Sequence, residues 1–100
     1  MTVKSQLHSC GESLMAGVRA AERAAEPDPR VLATLRACQD VVERLEQSSA
    51  EVSVLEVEIA LRVVKQAAVE LAAEPVANTV RATVRNALDR LERLHAELNS

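Results

Sequence analysis

Apolar residues recur at alternating intervals of three and four over two long stretches of the chain. The first is Val31, Leu35, Cys38, Val42 and Leu45. The second is Ala77, Val80, Val84, Ala87, Leu91, Leu94 and Leu98. A period near 3.5 is the seam of a helix packed against other helices. An earlier stretch follows the rule less cleanly, through Leu7, Cys10 or Gly11, Leu14, Val18, Ala21 and Ala25. Gly11 and Gly17 each weaken a helix there by about 1 kcal/mol relative to Ala. They mark wear in the helix, a start delayed to Glu12, or a point where another helix comes close.

The stretch from Val52 to Val69 conflicts with itself. Val57, Ile59, Leu61 and Val63 alternate with Glu56, Glu58, Ala60 and Arg62, a strand-like and β-branched pattern. On a helical wheel the same residues give an apolar face of about 180° or more. A single strand finds no partner in this chain, and 65–73 continues as a helical pattern, so the segment is expected to be helix.

Three breaks separate the stretches. Ala25-Glu-Pro-Asp-Pro29 offers Asp28 as a cap and Pro29 for a first helical position. Gln47-Ser-Ser-Ala50 offers Ser48 or Ser49 as cap, with Glu51 or Val52 opening the next helix. Glu74-Pro75 and Asn78-Thr79 form the third, where the start of the last helix is loosely defined. The expected helices are 3–24, 29–47, 50–73 and 76–98. The predicted fold is an all-α, antiparallel four-helix bundle forming one domain over 1–100.

Residues 31–45 and 80–94 match at an offset of 49, with eight of fifteen positions identical. The identities include Thr34/Thr83, Arg36/Arg85, Asp40/Asp89 and Arg44/Arg93. The chain therefore reads as two tandem helical hairpins with an internal pseudo-twofold repeat. A solenoid of only two such units would lack its capping repeats, so closure into a bundle is the expected arrangement.

Composition narrows the function. The 100 residues contain no Phe, Tyr or Trp. That excludes aromatic base-stacking platforms, aromatic cages and tyrosine nucleophiles. A net charge of −3 weighs against a surface for nucleic acid or anionic lipid. The Val52–Val69 stretch carries Glu56, Glu58, Arg62 and Lys65, too many charges for a membrane span. No apolar run of signal-peptide length follows the N-terminal Lys4. The expectation is a soluble cytoplasmic protein with two reduced thiols.

The candidate chemistry is thin. His8, Cys10, Cys38 and His95 are the strong metal-ligand types, and His8 and His95 are expected at the same end of an up-down bundle. Zinc needs three or four such ligands in fixed geometry, while His8 and Cys10, two apart, point to different helix faces. Glu92-x-x-His95 has the di-iron spacing, but the duplicated position opposite His95 is Glu46, so the second His is missing. No catalytic residue, cofactor, metal or small-molecule substrate is expected. Cys10 and Cys38 are expected to stay unpaired: if the first hairpin turns near Pro27, Cys10 lies level with Arg44 and Cys38 with Ala16, an offset of about 9 Å. The stripes Arg36-Asp40-Arg44 and Arg85-Asp89-Arg93 read as solvated salt-bridge ladders, or as a surface that reads anions or a partner.

The third helix carries more apolar surface than one core can use. Val52, Val54, Leu55, Val57, Ile59 and Leu61 are the expected partner interface. The expected function is a non-catalytic protein–protein interaction module that forms a homodimer or docks on a helical protein partner. The alternative is a nucleic-acid-associated bundle using Arg81, Arg85, Arg90 and Arg93 of the last helix.

Overall fold

A computed structural model describes residues 3–24, 26–48 and 52–99. These form four helices: α1 (Val3–Glu22), α2 (Pro29–Gln47), α3 (Val54–Ala73) and α4 (Asn78–Asn99). No strand occurs among the described residues. The alternation in 56–63 is therefore helical, as expected. Each helix packs on the next, and α4 closes against α1 to complete an elongated bundle of 42 × 22 × 19 Å.

Cross-helix contacts join the beginning of one helix to the end of its neighbour. His8 meets Glu46, Gln6 meets Glu97, and Glu58 meets His95. At the opposite end Glu22 meets Arg36 and Thr34 meets Glu70. This is the contact order of up-and-down neighbours. The His8–Glu46 pair sets Cys10 level with Arg44, the register the sequence implies.

The core is the apolar seam. In α2 its buried members are Val31, Leu35, Cys38, Val42 and Leu45, the full set read from the sequence. In α4 they are Val80, Val84, Ala87, Leu91 and Leu94, with Ala77 exposed ahead of the helix and Leu98 half-buried. Positions related by the offset of 49 thus share their burial. In α1 the seam is Leu7, Cys10, Leu14, Gly17, Val18 and Ala21, while Ala25 lies outside the described residues. In α3 it is Val57, Ala60, Val64, Ala67 and Leu71.

Local chemistry sets the helix ends. Asp28 caps α2 through the Arg30 N–H (2.9 Å), and Pro29 opens the helix, as its missing donor allows. The cap of α3 differs from expectation. Ser48 closes α2, its N–H donating to the Leu45 carbonyl, and Ser49 and Glu51 lie outside the described residues. Ser53 is the cap, accepting the Glu56 N–H at 3.2 Å. Ser53-x-x-Glu56 has capping-box spacing, and Val52 and Val57 hold the flanking positions of a hydrophobic staple. Both valines are buried. Val52 consequently precedes the helix and does not open it.

The turn between α3 and α4 is held by Arg81. Its guanidinium donates to the Leu71 carbonyl (3.3 Å), the Glu74 carbonyl (2.6 Å) and Asn78 Oδ1 (3.3 Å). Each of these carbonyls also accepts a backbone N–H, Leu71 from Glu74 and Glu74 from Val76, so Arg81 adds a second donor to both. Val76 belongs to this turn, so α4 begins at Asn78, two residues later than the apolar pattern suggests.

The two glycines separate the readings left open. A Cβ on Gly11 would meet only ordinary contacts at 3.8 and 3.9 Å. A Cβ on Gly17 would fall on the Thr83 hydroxyl and lie 3.3 Å from Thr83 Cβ. Gly17 is where α1 and α4 approach closely; Gly11 is not.

Candidate interaction surface

The four large apolar side chains exposed among the described residues are Met15 (39%), Leu55 (68%), Ile59 (53%) and Val69 (63%). Three of them belong to α3. With 3.6 residues per turn, Leu55, Ile59, Arg62, Gln66 and Val69 recur at four, three, four and three, forming one stripe. It lies opposite the seam of Val57, Ala60, Val64, Ala67 and Leu71, and all five of its residues are exposed.

The six residues expected at the interface therefore divide. Leu55 and Ile59 face outward. Val54 and Leu61 are half-buried. Val52 and Val57 are buried in the chain's own core, where they flank the Ser53 cap, so neither presents a surface to a partner. Val69 was missing from the expected set. Its signal is its place at the next 3–4 step of the stripe, beyond the stretch where apolar residues crowd together.

The charges on this side of α3 run Glu56 and Glu58, then Arg62 and Lys65, then Glu70. Glu58 accepts from or pairs with His95 Nε2 at 3.1 Å, leaving its side chain 41% exposed. Beside the stripe an open groove of about 530 Å³ runs between α2 and α3. Small side chains make it: Ala33 and Ala37 on one wall face Val63 and Ala67 on the other.

The histidines do not meet as a metal site. His8 Nδ1 lies 2.8 Å from Glu46 Oε1, and its Nε2 lies 3.0 Å from Glu12 Oε1. Its pKa is raised from 6.5, first by the Glu46 hydrogen bond and then by the Glu12 and Glu46 charges. His95 pairs with Glu58 instead. Among the described residues no three His, Cys, Asp or Glu side chains are grouped to hold a metal ion. A second space of about 530 Å³, between α1 and α2, is lined by His8, Glu12, Glu43 and Glu46 beside Gly11.

Both cysteines are free and buried. Desolvation pushes the Cys10 thiol up to about 12 and the Cys38 thiol up to about 11. Cys10 Sγ donates to the Ala87 carbonyl at 3.3 Å. Protonated thiols in this setting behave as small hydrophobes and are poor nucleophiles.

The arginine stripes are solvated but are not ladders. Among the described residues neither Arg36-Asp40-Arg44 nor Arg85-Asp89-Arg93 contains an ion pair within itself; Arg36 reaches across to Glu22 of α1 at 3.3 Å. Of the four α4 arginines available for nucleic acid, Arg81 is occupied by the turn.

No helix among the described residues is long and apolar enough to cross a membrane. The chain is thus an all-α four-helix protein in which, among the described residues, Leu55, Ile59 and Val69 of α3 stand exposed. No family model, curated protein or solved structure matches it.

Proposed function

We propose that the chain is a non-catalytic protein–protein interaction module that docks through the outer face of α3. The observation that carries this reading is the placement of Leu55, Ile59 and Val69, each more than half exposed, along one helix stripe. Leaving apolar area in water gives up about 25 cal/mol per Å² that burial would recover. Contiguous exposed apolar surface rimmed by charge marks contact sites in small soluble proteins. The charges of Glu56, Glu58, Arg62, Lys65 and Glu70 supply such a rim. A cytoplasmic setting accompanies the reading, in keeping with two free, buried thiols.

The test compares exposed outward positions of α3 and α1. Immobilised wild-type chain, Leu55→Arg and Ala16→Arg are each exposed to the purified chain and to source-cell lysate. Binding should be lost in Leu55→Arg and retained in Ala16→Arg, with helicity unchanged in both. Binding indifferent to Leu55→Arg would remove α3 as the docking face.

A further inference from the structure

Arg62 stands exposed in the middle of the outer stripe of α3, between Ile59 and Val69. Its side chain lines the α2–α3 groove with Val63, Gln66 and Glu70. Glu70 does not neutralise it. That carboxylate lies about two turns further on. It accepts from Gln66 Nε2 at 3.3 Å and from the Thr34 hydroxyl at 3.5 Å. Glu58, about one turn before Arg62, pairs with His95. Among the described residues Arg62 forms no ion pair. An unpaired guanidinium among exposed apolar side chains gives a docking face a charge preference at its centre.

The bundle leaves this side of Arg62 open. Thr34 and Ala67, on the two walls of the groove, are the counterparts at offsets of 49 and 50 of Thr83 and Gly17, where α4 closes on α1. Ala67 carries the methyl that Gly17 lacks, and the seam between α2 and α3 stays open there as the groove.

A second copy does not supply the missing carboxylate. Two antiparallel stripes match all three exposed apolar residues in one register only, with Ile59 against Val69 and Leu55 against Ala73. Arg62 then lies level with Gln66. Residues 56, 63 and 70 share the flank towards α2, and 58 and 65 the flank towards α4. In this register Glu56 therefore falls beside the other copy's Glu70, and the two Lys65 fall beside each other. In a parallel pair equal numbers lie level. Lys65 then approaches the other copy's Glu70, but Arg62 is opposed by Arg62. Neither pairing sets a carboxylate level with Arg62.

We propose that the occupant of this face is an amphipathic helix of a different protein, with apolar residues at the spacing of Leu55, Ile59 and Val69 and an acidic residue level with Arg62 on the side of the groove. This rests on the reading of the α3 stripe as a docking surface. Recognition is helix on helix. The apolar residues supply contact, and the pair formed with Arg62 supplies register and choice of partner.

The probes are two labelled synthetic helical peptides of about 20 residues, long enough to lie along α3. Both carry a leucine stripe at 3–4 spacing and are otherwise alanine and glutamine. The central position of the stripe is Glu in one and Lys in the other. Fluorescence anisotropy should show the Glu peptide bound about tenfold more tightly than the Lys peptide. Arg62→Glu, at an exposed site, should keep its helicity and reverse the order. Leu55→Arg should lose both peptides, and Ala16→Arg neither. In sedimentation equilibrium the chain alone should stay at 10.8 kDa across a concentration series.

Equal affinity for the two peptides, or an order unchanged in Arg62→Glu, would overturn the acidic partner. A mass that moves towards twice 10.8 kDa, and returns to it in Leu55→Arg, would make a second copy the occupant instead. If neither peptide binds, the helical partner is overturned. The docking surface would then stand only where binding to another protein still depended on Leu55, and without such binding both readings fall.

Discussion

Helices α1 and α3 occupy corresponding places in the two hairpins and bury the same spacing of residues. Leu7, Cys10, Leu14, Gly17 and Ala21 correspond at an offset of 50 to Val57, Ala60, Val64, Ala67 and Leu71. Not one aligned residue between 3–22 and 53–72 is identical. The outward faces differ in kind. Where α1 has Ser5, the half-buried Ser9, Glu12, Ala16 and Arg19, α3 has Leu55, Ile59, Arg62, Gln66 and Val69. Inward positions are constrained by the bundle, so both helices satisfy them with small and medium apolar residues. Outward positions are not, and α1 shows that this architecture closes with a polar face there. The apolar outer face of α3 is therefore surplus to folding, which makes it informative about function.

The largest effect tests that division directly. Leu14→Ala empties a fully buried site in α1 and should cost about 2–5 kcal/mol, a large part of a small domain's stability. Leu55→Ala, on the exposed face of α3, should change the stability of dilute monomer by under about 0.5 kcal/mol. Urea unfolding at low concentration reads both. A cost above about 2 kcal/mol for Leu55→Ala would mean the α3 stripe belongs to the core after all.

The hairpins also differ at their turns. Arg81 fastens the end of α3 with hydrogen bonds to two backbone carbonyls, and the corresponding position in the first hairpin is Leu32. A charged donor to partly buried carbonyls contributes about 1.5–3 kcal/mol. Arg81→Ala should lose about that much. Arg81→Lys should recover only part of it, because a single ammonium cannot reproduce the fork of donors. Equal stability of Arg81→Ala and wild type would make the turn self-supporting, like the one before α2.

Legibility in the sequence followed the clarity of the period. The buried set of α2 was readable residue by residue because its outward positions hold charged or polar residues and the small Ala33 and Ala37. In α3 apolar residues lie on both sides, so the pattern announces an excess without fixing its phase. Val52 and Val57 thus looked like surface and turned out to be the staple around Ser53. Val69, isolated between Ala68 and Glu70, looked unremarkable and completes the stripe. Arg81 carried no signal, since an arginine in a charged helix looks the same whether it meets water or a carbonyl. Gly17 needed the opposing helix, because only Thr83 distinguishes it from Gly11.

Those glycines give the next contrast, and it has opposite signs. Gly17→Ala gains about 1 kcal/mol in helix propensity but drives a methyl onto a β-branched side chain. Overpacking costs about 1–3 kcal/mol, so a net loss of about 1 kcal/mol is expected, relieved by adding Thr83→Ala. Gly11→Ala meets only ordinary contacts and should stabilise by about 0.5–1 kcal/mol. Thermal unfolding of the two single variants should shift in opposite directions, and a shared direction would contradict the close approach at Thr83.

The smallest effect concerns two ion pairs with exchanged partners. His8 of α1 meets Glu46 of α2, while Glu58 of α3 meets His95 of α4. At the offsets of 50 and 49, His8 corresponds to Glu58 and Glu46 to His95, so the two hairpins place the same pair with its members reversed. The folded chain raises the His8 pKa above 6.5 through Glu46 and Glu12. A raised pKa means that the folded state binds the proton more tightly than the unfolded state. The contribution is therefore complete below about pH 6.5 and is lost as pH rises through the folded value. His8 is exposed, so salt screens the effect. In low salt the midpoint of thermal unfolding should fall slightly as pH rises through this window, and His8→Gln should flatten its share of the slope. Imidazole titration by NMR reads the cause: the His8 pKa should lie above 6.5 and move back towards it in Glu46→Gln, whereas a wild-type value at or below 6.5 would contradict the pairing.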